Sequence, residues 1–335
     1  MYYILLFDDY LHKINIRSSG SGIILETAKA RYALDKVKED STDFHIISHA
    51  HSDHLPRRVM GKPVMSNETK HLAISRGVRG LDDGIIDTDK IKLIDSGHIL
   101  GSTAALIEDE ILYTGDFSMN DRFFLKGFKP PKAKVLIMEA TYGHSKYKFQ
   151  NFENIVNETL EYVFERISEG YRLMAYGYAL GKSQLLTKLF SWYDKLIVSD
   201  SVKKYNDIYQ ELNVDLGNSY ISLDDAKTKK ILDNDQWILI TERNKYSKEI
   251  IAQKYGVIIL DFTGWTIKRR DSNNFYGVPL SDHADYNDLI EVVKQVEPEE
   301  VYLMCGFTDN FASDLREIGF KAFSVNSKQR YMSEF

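Results

Sequence analysis

A single cysteine, Cys305, occurs in the 335 residues, so no disulfide can close within the chain, and the reducing cytoplasm is the expected compartment. Long apolar runs are missing as well. None approaches the roughly 18 residues that a membrane-spanning helix needs, so no membrane partner is expected. The N-terminal stretch MYYILLFDDY has neither the basic flank nor the small-residue cleavage site of a secretory signal, and it reads as a first strand. Positive charge is not in excess: 43 Lys and Arg stand against 49 Asp and Glu, a net charge of −6. This argues against a generally basic nucleic-acid coat but does not exclude a local basic groove. No internal repeat and no low-complexity tract breaks the chain.

What is present is a soluble globular composition, 43% hydrophobic and 27% charged, long enough for two domains or for one with an insertion. The first half reads as strands joined by short loops. Phe44 to Ser48 is a short apolar strand running into His49, and Ile91 to Ile94 runs into Asp95 and His98. Ala104–Ile107 and Ile111–Thr114 flank an acidic turn and read as a hairpin, while Val135–Met138 is a continuous apolar strand ending at Glu139. From about 146 to 262 the pattern alternates. Asn151 to Glu169 has helical apolar spacing and stops at Gly170, Arg172 to Leu180 reads as a strand, and Gly181-Lys182-Ser183 opens another helix. Trp237–Thr241 and Val257–Leu260 are further strands, which together predict an α/β segment. Polar residues recur just after strands, where loops can aim them at a shared site.

The densest chemistry is Ser48-His49-Ala50-His51-Ser52-Asp53-His54. Residues two apart at a strand end point to one side, so His49 and His51 can share an ion, and Asp53 and His54 can face a second. Imidazole and carboxylate suit zinc, with manganese or magnesium as alternatives. His98 in SGHILGS and Asp116 in YTGDF could add a third nitrogen and a bridging carboxylate, which a two-metal phosphoryl-transfer site requires.

The order HAHSDH, then GH, then GD resembles the metallo-β-lactamase superfamily. Val135-Leu-Ile-Met-Glu139-Ala-Thr-Tyr-Gly143 and Leu280-Ser-Asp-His283-Ala-Asp-Tyr286 resemble two motifs of its β-CASP nucleases. The segments Tyr178-Ala-Leu-Gly-Lys182-Ser-Gln184 and Phe262-Thr-Gly-Trp265-Thr resemble the DNA-acting branch, the Artemis-like crosslink-repair nucleases and ligase-associated DNA exonucleases. Archaeal RNA-processing exonucleases share the fold.

This resemblance, over about residues 17 to 325, implies an α+β chain. An αββα metallo-β-lactamase sandwich (1–145 and 263–335) would carry an inserted α/β β-CASP cap (146–262). It implies one or two zinc ions, the first on His49, His51 and His98, the second on Asp53 and His54, with Asp116 bridging. It further implies catalytic roles for Asp53, which orients the attacking hydroxide, and for Glu139 and His283, a pair that protonates the leaving oxygen. One departure stands out. Where RNA-acting members carry a metal-binding histidine, this chain has Cys305, either a thiolate ligand of the second ion or a small buried residue.

The helix start at Gly181, Lys182 and Ser183 offers N–H groups and an ammonium, the makings of a phosphate seat. Such a seat favours 5′→3′ exonuclease action on single-stranded DNA, with RNA-processing exo- or endonuclease action as the alternative. Arg243, Lys268, Arg269 and Arg270 either line a strand-binding groove or form a solvated basic run. Tyr178 and Trp265 either stack bases or belong to a core.

Overall fold

The computed structural model describes residues 14–38, 41–81, 88–217, 220–242, 250, 253–266, 271–272 and 274–325. The strand expected over residues 1–10 lies outside the described residues.

Three sheets organise the described residues. The first has five strands in sequence order: β1 (Asn15–Ser19), β2 (Gly22–Glu26), β3 (Arg31–Leu34), β4 (Phe44–Ile46) and β5 (Lys62–Val64). β1 to β3 run antiparallel, and β4 and β5 then add in parallel. Helix α1 (Asn67–Ser75) follows, its N-cap Ser66 accepting from the Thr69 N–H. The second sheet joins β6 (Ile91–Asp95), the expected hairpin β7 (Thr103–Ile107) and β8 (Ile111–Tyr113), and β9 (Val135–Ala140). Beyond β9 it is completed by two late strands, Glu300–Gly306 and Ala322–Ser324, both parallel to it.

These two sheets face each other across one apolar layer. Ile23, Leu25 and Leu34 of the first meet Ile107, Tyr113 and Ile137 of the second. Helices Tyr286–Val296 and Thr308–Glu317 cover the far face of the second sheet through Leu289, Val292, Val293, Phe311 and Leu315, against Leu112, Leu136 and Met138. β9 is therefore buried on both faces, as its unbroken apolar run requires.

Between β9 and the late strands lies the third sheet, of seven strands. Helix α2 (Phe152–Ser168) leads in, capped by Asn151 and ended at Glu169, as the spacing predicts. The strands follow as β10 (Leu173–Gly177), β11 (Leu196–Val198), β12 (Tyr220–Ser222), β13 (Ile238–Glu242), β14 (Ile258–Phe262), β15 (Asp271–Ser272) and β16 (Phe275–Val278), in the spatial order β12-β11-β13-β10-β14-β16-β15. All pairings are parallel except β15 with β16. Between them come α3 (Lys182–Leu189), α4 (Asp200–Glu211), α5 (Leu223–Thr228) and α6 (Ile231–Asn234). Helices sit on both faces: α2 and α3 on one, with Ile155, Val163 and Leu186, and α5 and α6 on the other, with Ala226 and Leu232. The sheet does not end at residue 262, where the alternating pattern stops. Phe275–Val278 pairs with Ile259–Phe262 and carries it on to Val278. Among the described residues, α7 (Tyr286–Val296), β17 (Glu300–Gly306), α8 (Thr308–Glu317) and β18 (Ala322–Ser324) follow.

Candidate metal centre and active site

The chemistry-bearing loops all leave strands at one end. β4 runs into Ser48–His54, β6 into His98 and β8 into Asp116, while Glu139 is the penultimate residue of β9. Gly115 lets two of these loops meet. It sits at φ +55°, and a Cβ there would fall 2.4 Å from the Ser48 Cβ, so only glycine brings Asp116 beside His49.

Four side chains converge. His49 Nε2 and His98 Nε2 each lie 3.1 Å from His51 Nδ1, and Asp116 Oδ2 is 3.5 Å from His49 Nε2 and 3.8 Å from His98 Nε2. The other nitrogen of each ring is anchored: His49 Nδ1 to Ser48 Oγ at 3.0 Å, His51 Nε2 to the Leu180 carbonyl at 3.1 Å, and His98 Nδ1 to the Asp282 carbonyl at 3.0 Å. Each ring is thus turned so that its remaining nitrogen faces one common point. Nitrogens bound to one tetrahedral zinc at its usual bond length stand about 3.3 Å apart. The donor set and its spacing fit a metal ion, and the anchored second nitrogens are what ligand histidines require. Burial pushes the pKa of all three imidazoles down, most strongly for His49 and His98, which keeps them neutral and able to ligate.

A second half-site adjoins. His54 Nε2 is 3.2 Å from Asp116 Oδ2 and 3.7 Å from Asp53 Oδ2, while the Asp53 side chain is 59% exposed. Asp116 therefore touches both halves, the position of a bridging carboxylate. Burial opposes charge on His54, but Asp116 and Asp35 outweigh it and hold the ring protonated well above its usual range. Asp35 carries no motif that would single it out in the sequence. It is fully buried at φ +57° and accepts four hydrogen bonds: from His54 Nδ1 at 2.6 Å, the Ser48 N–H at 2.6 Å, Ser48 Oγ at 2.7 Å and the Tyr113 hydroxyl at 2.5 Å.

Glu139 and His283 come together from 144 residues apart. The two carboxylate oxygens lie 3.0 and 2.9 Å from His283 Nδ1, and Glu139 Oε1 also accepts the Phe117 N–H at 2.9 Å. The His283 ring lies 4.5 Å from that of His98. Burial disfavours its charge, but Glu139 and Asp116 outweigh this and raise it to about 9. A half-buried imidazolium, oriented by a carboxylate, thus borders the metal centre.

The expected phosphate seat is corrected. Lys182 is 3% exposed, and its ammonium donates to the Leu280 carbonyl at 2.6 Å and pairs with Asp282 at 3.0 Å. The Gly181 N–H donates to Gln184 Oε1 at 2.7 Å and the Ser183 N–H to the Tyr178 carbonyl at 3.1 Å. These donors serve the protein itself. Arg122 completes the network, pairing with Asp282 at 3.0 Å and donating to the carbonyls of Gly97 and His98. Burial pushes the Asp282 carboxyl up, yet Lys182 and Arg122 hold it down at about 2. Gly181 matters for close packing instead. A Cβ there would strike Ile99 at 2.4 Å, next to His51 Nε2 at 3.5 Å.

Cys305 sits partly buried on β17 at φ +56°. Burial, reinforced by Asp116, pushes its thiol up to about 12, and its sulfur joins none of the convergent donor groups among the described residues. Tyr178 is 63% exposed with its ring 6.3 Å from that of His51, and Trp265 is 41% exposed against Tyr142 at 4.8 Å, itself beside His283. Both rings are exposed, and neither belongs to a buried core. Arg243, Lys268, Arg269 and Arg270 lie outside the described residues.

No protein-family model matches the chain. Among curated proteins, one named "Probable DNA ligase" from Opitutus terrae is 27% identical over 83% of this chain and 28% of its own length. The DNA cross-link repair 1A protein of Mus musculus is 22% identical over 77% of this chain and 28% of its own. An RNase J-like protein of Methanocaldococcus jannaschii is 24% identical over 73% of this chain and 68% of its own. The chain thus spans little more than a quarter of the first two relatives. A crystal structure of a protein of unknown function from Enterococcus faecalis V583 shares the fold, with a TM-score of 0.60 at 13% identity, covering 94% of this chain and 97% of that one. Relatives named for DNA ligation, DNA cross-link repair and RNase J likeness are thus all similar to this chain, at 22–27% identity.

Proposed function

We propose that the chain is a metal-dependent nuclease that hydrolyses phosphodiester bonds of single-stranded nucleic acid, with DNA as the first substrate. The observation that carries this reading is the Glu139–His283 pair at the edge of the histidine cluster. A sugar oxygen is a poor leaving group as an alkoxide, and a protonated imidazole held by a carboxylate answers that need. The pair is superfluous for a thioester or lactam. Zinc on His49, His51, His98 and Asp116, with a second ion on Asp53 and His54, would supply the Lewis acidity that activates water and offsets charge on a phosphate oxygen. Asp53, exposed at the rim, orients the attacking water. His283 gives its proton to the departing oxygen, and Glu139 keeps its ring turned. Trp265 and Tyr178 offer faces on which bases can stack.

The fold reading that accompanies this is an αββα sandwich with an inserted β-CASP cap whose sheet continues to Val278. We place the protein in the cytoplasm; no described helix is long and apolar enough to cross a membrane. DNA takes precedence because two of the relatives above are named for DNA ligation and DNA cross-link repair. An RNA-processing role is the second reading, favoured by the RNase J-like relative, which the chain matches over 68% of its length. With Lys182 buried, the helix start no longer argues for a 5′ end.

The test is digestion of matched 5′- and 3′-labelled DNA and RNA strands with zinc, manganese or magnesium. Shortening of single-stranded DNA is expected, with the His283→Ala variant slower by roughly 10²–10⁴-fold and Asp53→Ala inactive. Turnover of a chromogenic lactam or thioester with intact oligonucleotides would overturn the reading.

A further inference from the structure

At Ser52 and Leu55, which flank Asp53 and His54 in the chain, the surface opens into a cavity of about 440 Å³. Lys36, Ser52, Leu55, Pro56, Arg57, Arg76, Gly77, Val78 and Arg79 line it, and none of them is acidic. Four cations around one cavity are unexpected in a chain of net charge −6, because like charges brought together repel unless an anion joins them.

The backbone builds this arrangement. Arg79 donates its N–H to the Arg57 carbonyl at 3.2 Å, and Val59 donates to the Arg79 carbonyl at 2.9 Å, so the segments carrying the two arginines are pinned side by side. Arg76 caps the C-terminus of α1, with its guanidinium 5.5 Å over the ring of Tyr205 on α4. The cavity therefore lies close to the seam between α1 and the seven-stranded sheet's helices. Lys36 follows Asp35, the residue that fixes His54, and its ammonium donates to the Ser52 carbonyl at 2.9 Å, leaving two further N–H groups. Among the described residues, Arg57, Arg76 and Arg79 form no ion pair. Ser52, in the cavity wall, is the immediate neighbour of Asp53.

We propose that this cavity seats backbone phosphates of the substrate strand on the Asp53 side of the metal centre. The inference rests on the nuclease reading and adds to it the direction in which the strand leaves the site. Arginine is suited to this, since its planar fork meets phosphate oxygens in pairs. Two exposed loops and a helix end supply the charge.

The experiment measures single-stranded DNA binding by fluorescence anisotropy, and cleavage of a dinucleotide and a 12-mer, across a salt series. The proteins are the wild type, Arg57→Gln/Arg79→Gln and Arg57→Lys/Arg79→Lys. The glutamine pair should lower the magnitude of the slope of log affinity against log salt by about 1.4, as expected for two single-strand phosphate contacts at roughly 0.7 each. It should also cut the advantage of the 12-mer over the dinucleotide in kcat/KM roughly tenfold, with the loss in KM. The lysine pair should keep the salt slope. Melting temperatures show whether the variants remain folded, as exposed substitutions normally do.

A wild-type slope and length advantage in the glutamine pair overturn the proposal and leave the nuclease reading intact. Arginine-dependent binding without any cleavage sustains the phosphate seat while the nuclease reading fails. Absence of binding by the wild type overturns the seat, as does a mononucleotide that binds there as tightly as the 12-mer.

Discussion

Asp35 would do for His54 what a ligand histidine most needs: it takes up the ring nitrogen turned away from Asp116, and it also fixes Ser48, the residue before His49. Asp35→Asn keeps the shape but turns one acceptor into a donor facing donors. Metal affinity should fall roughly 10–100-fold, the usual cost of losing such a partner, read by competition with a chelating dye. Unchanged affinity would mean that His54 needs no such support. Glu139 acts in the same way on His283. The general acid must be protonated, and its folded pKa of about 9 lies above the ordinary 6.5. Activity is therefore retained through neutral pH and lost as pH rises through that value. Glu139→Gln removes the chief charge that raises it, so the alkaline limb of kcat/KM should move to lower pH. A limb that stays in place would assign the proton to another group. His49, His51 and His54 could be picked out from sequence because they are adjacent; Asp35 could not. It stands among charged residues in LDKVKED, and only the left-handed turn after β3 carries it to Ser48 and Tyr113.

At the scale of elements, α3 enters the site differently from what its opening suggests. A glycine, a lysine and a serine after a strand describe a helix start correctly, and α3 begins at Lys182. Spacing cannot tell which way the lysine turns. Its burial against Asp282 is a long-range fact, set by where the loop after β16 passes. Lys182, Asp282 and Arg122 together bind the seven-stranded sheet to the loop that carries His283 and the carbonyl that holds His98. Lys182→Met should therefore cost about 3 kcal/mol, the lower end for breaking a buried ion pair. The sign with pH also follows. The folded Asp282 carboxyl titrates at about 2, below its ordinary 3.8, so its stabilisation is present above pH 3.8 and lost as pH falls toward 2. Removing Lys182 raises that lower limit, and acid unfolding should begin at higher pH, as circular dichroism at graded pH would show. A variant of full stability with weakened binding of 5′-phosphorylated strands would instead restore the phosphate seat. The sheet's last strands were hidden for a related reason. FYGV at 275–278 is four residues long and becomes a strand by pairing with Ile259–Phe262, which no local pattern announces.

Across the whole molecule, the metal centre is where separate layers meet. His49, His51 and His54 come from the loop after β4 of the first sheet, His98 and Asp116 from the second, and the Leu180 carbonyl on His51 from the end of β10 in the third. Strand ends are where loops from different layers can converge, which is why the polar residues after strands were informative and the layers behind them were not. An ion there should bind the folded chain and have little affinity for the unfolded one, whose donors are scattered from residue 49 to 116. Its binding free energy then adds to folding stability: about 2.7 kcal/mol when free zinc is a hundredfold above its dissociation constant. Stripping with a chelator should lower the melting temperature, and added zinc should restore it in proportion to the logarithm of its concentration. Acid should act in the same direction. The buried, neutral His49 and His98 must be deprotonated to ligate, so the zinc-dependent increment should vanish as falling pH protonates them. A melting temperature indifferent to chelator at neutral pH would show that the three layers hold without the ion, and that the convergence of their histidines serves something other than metal.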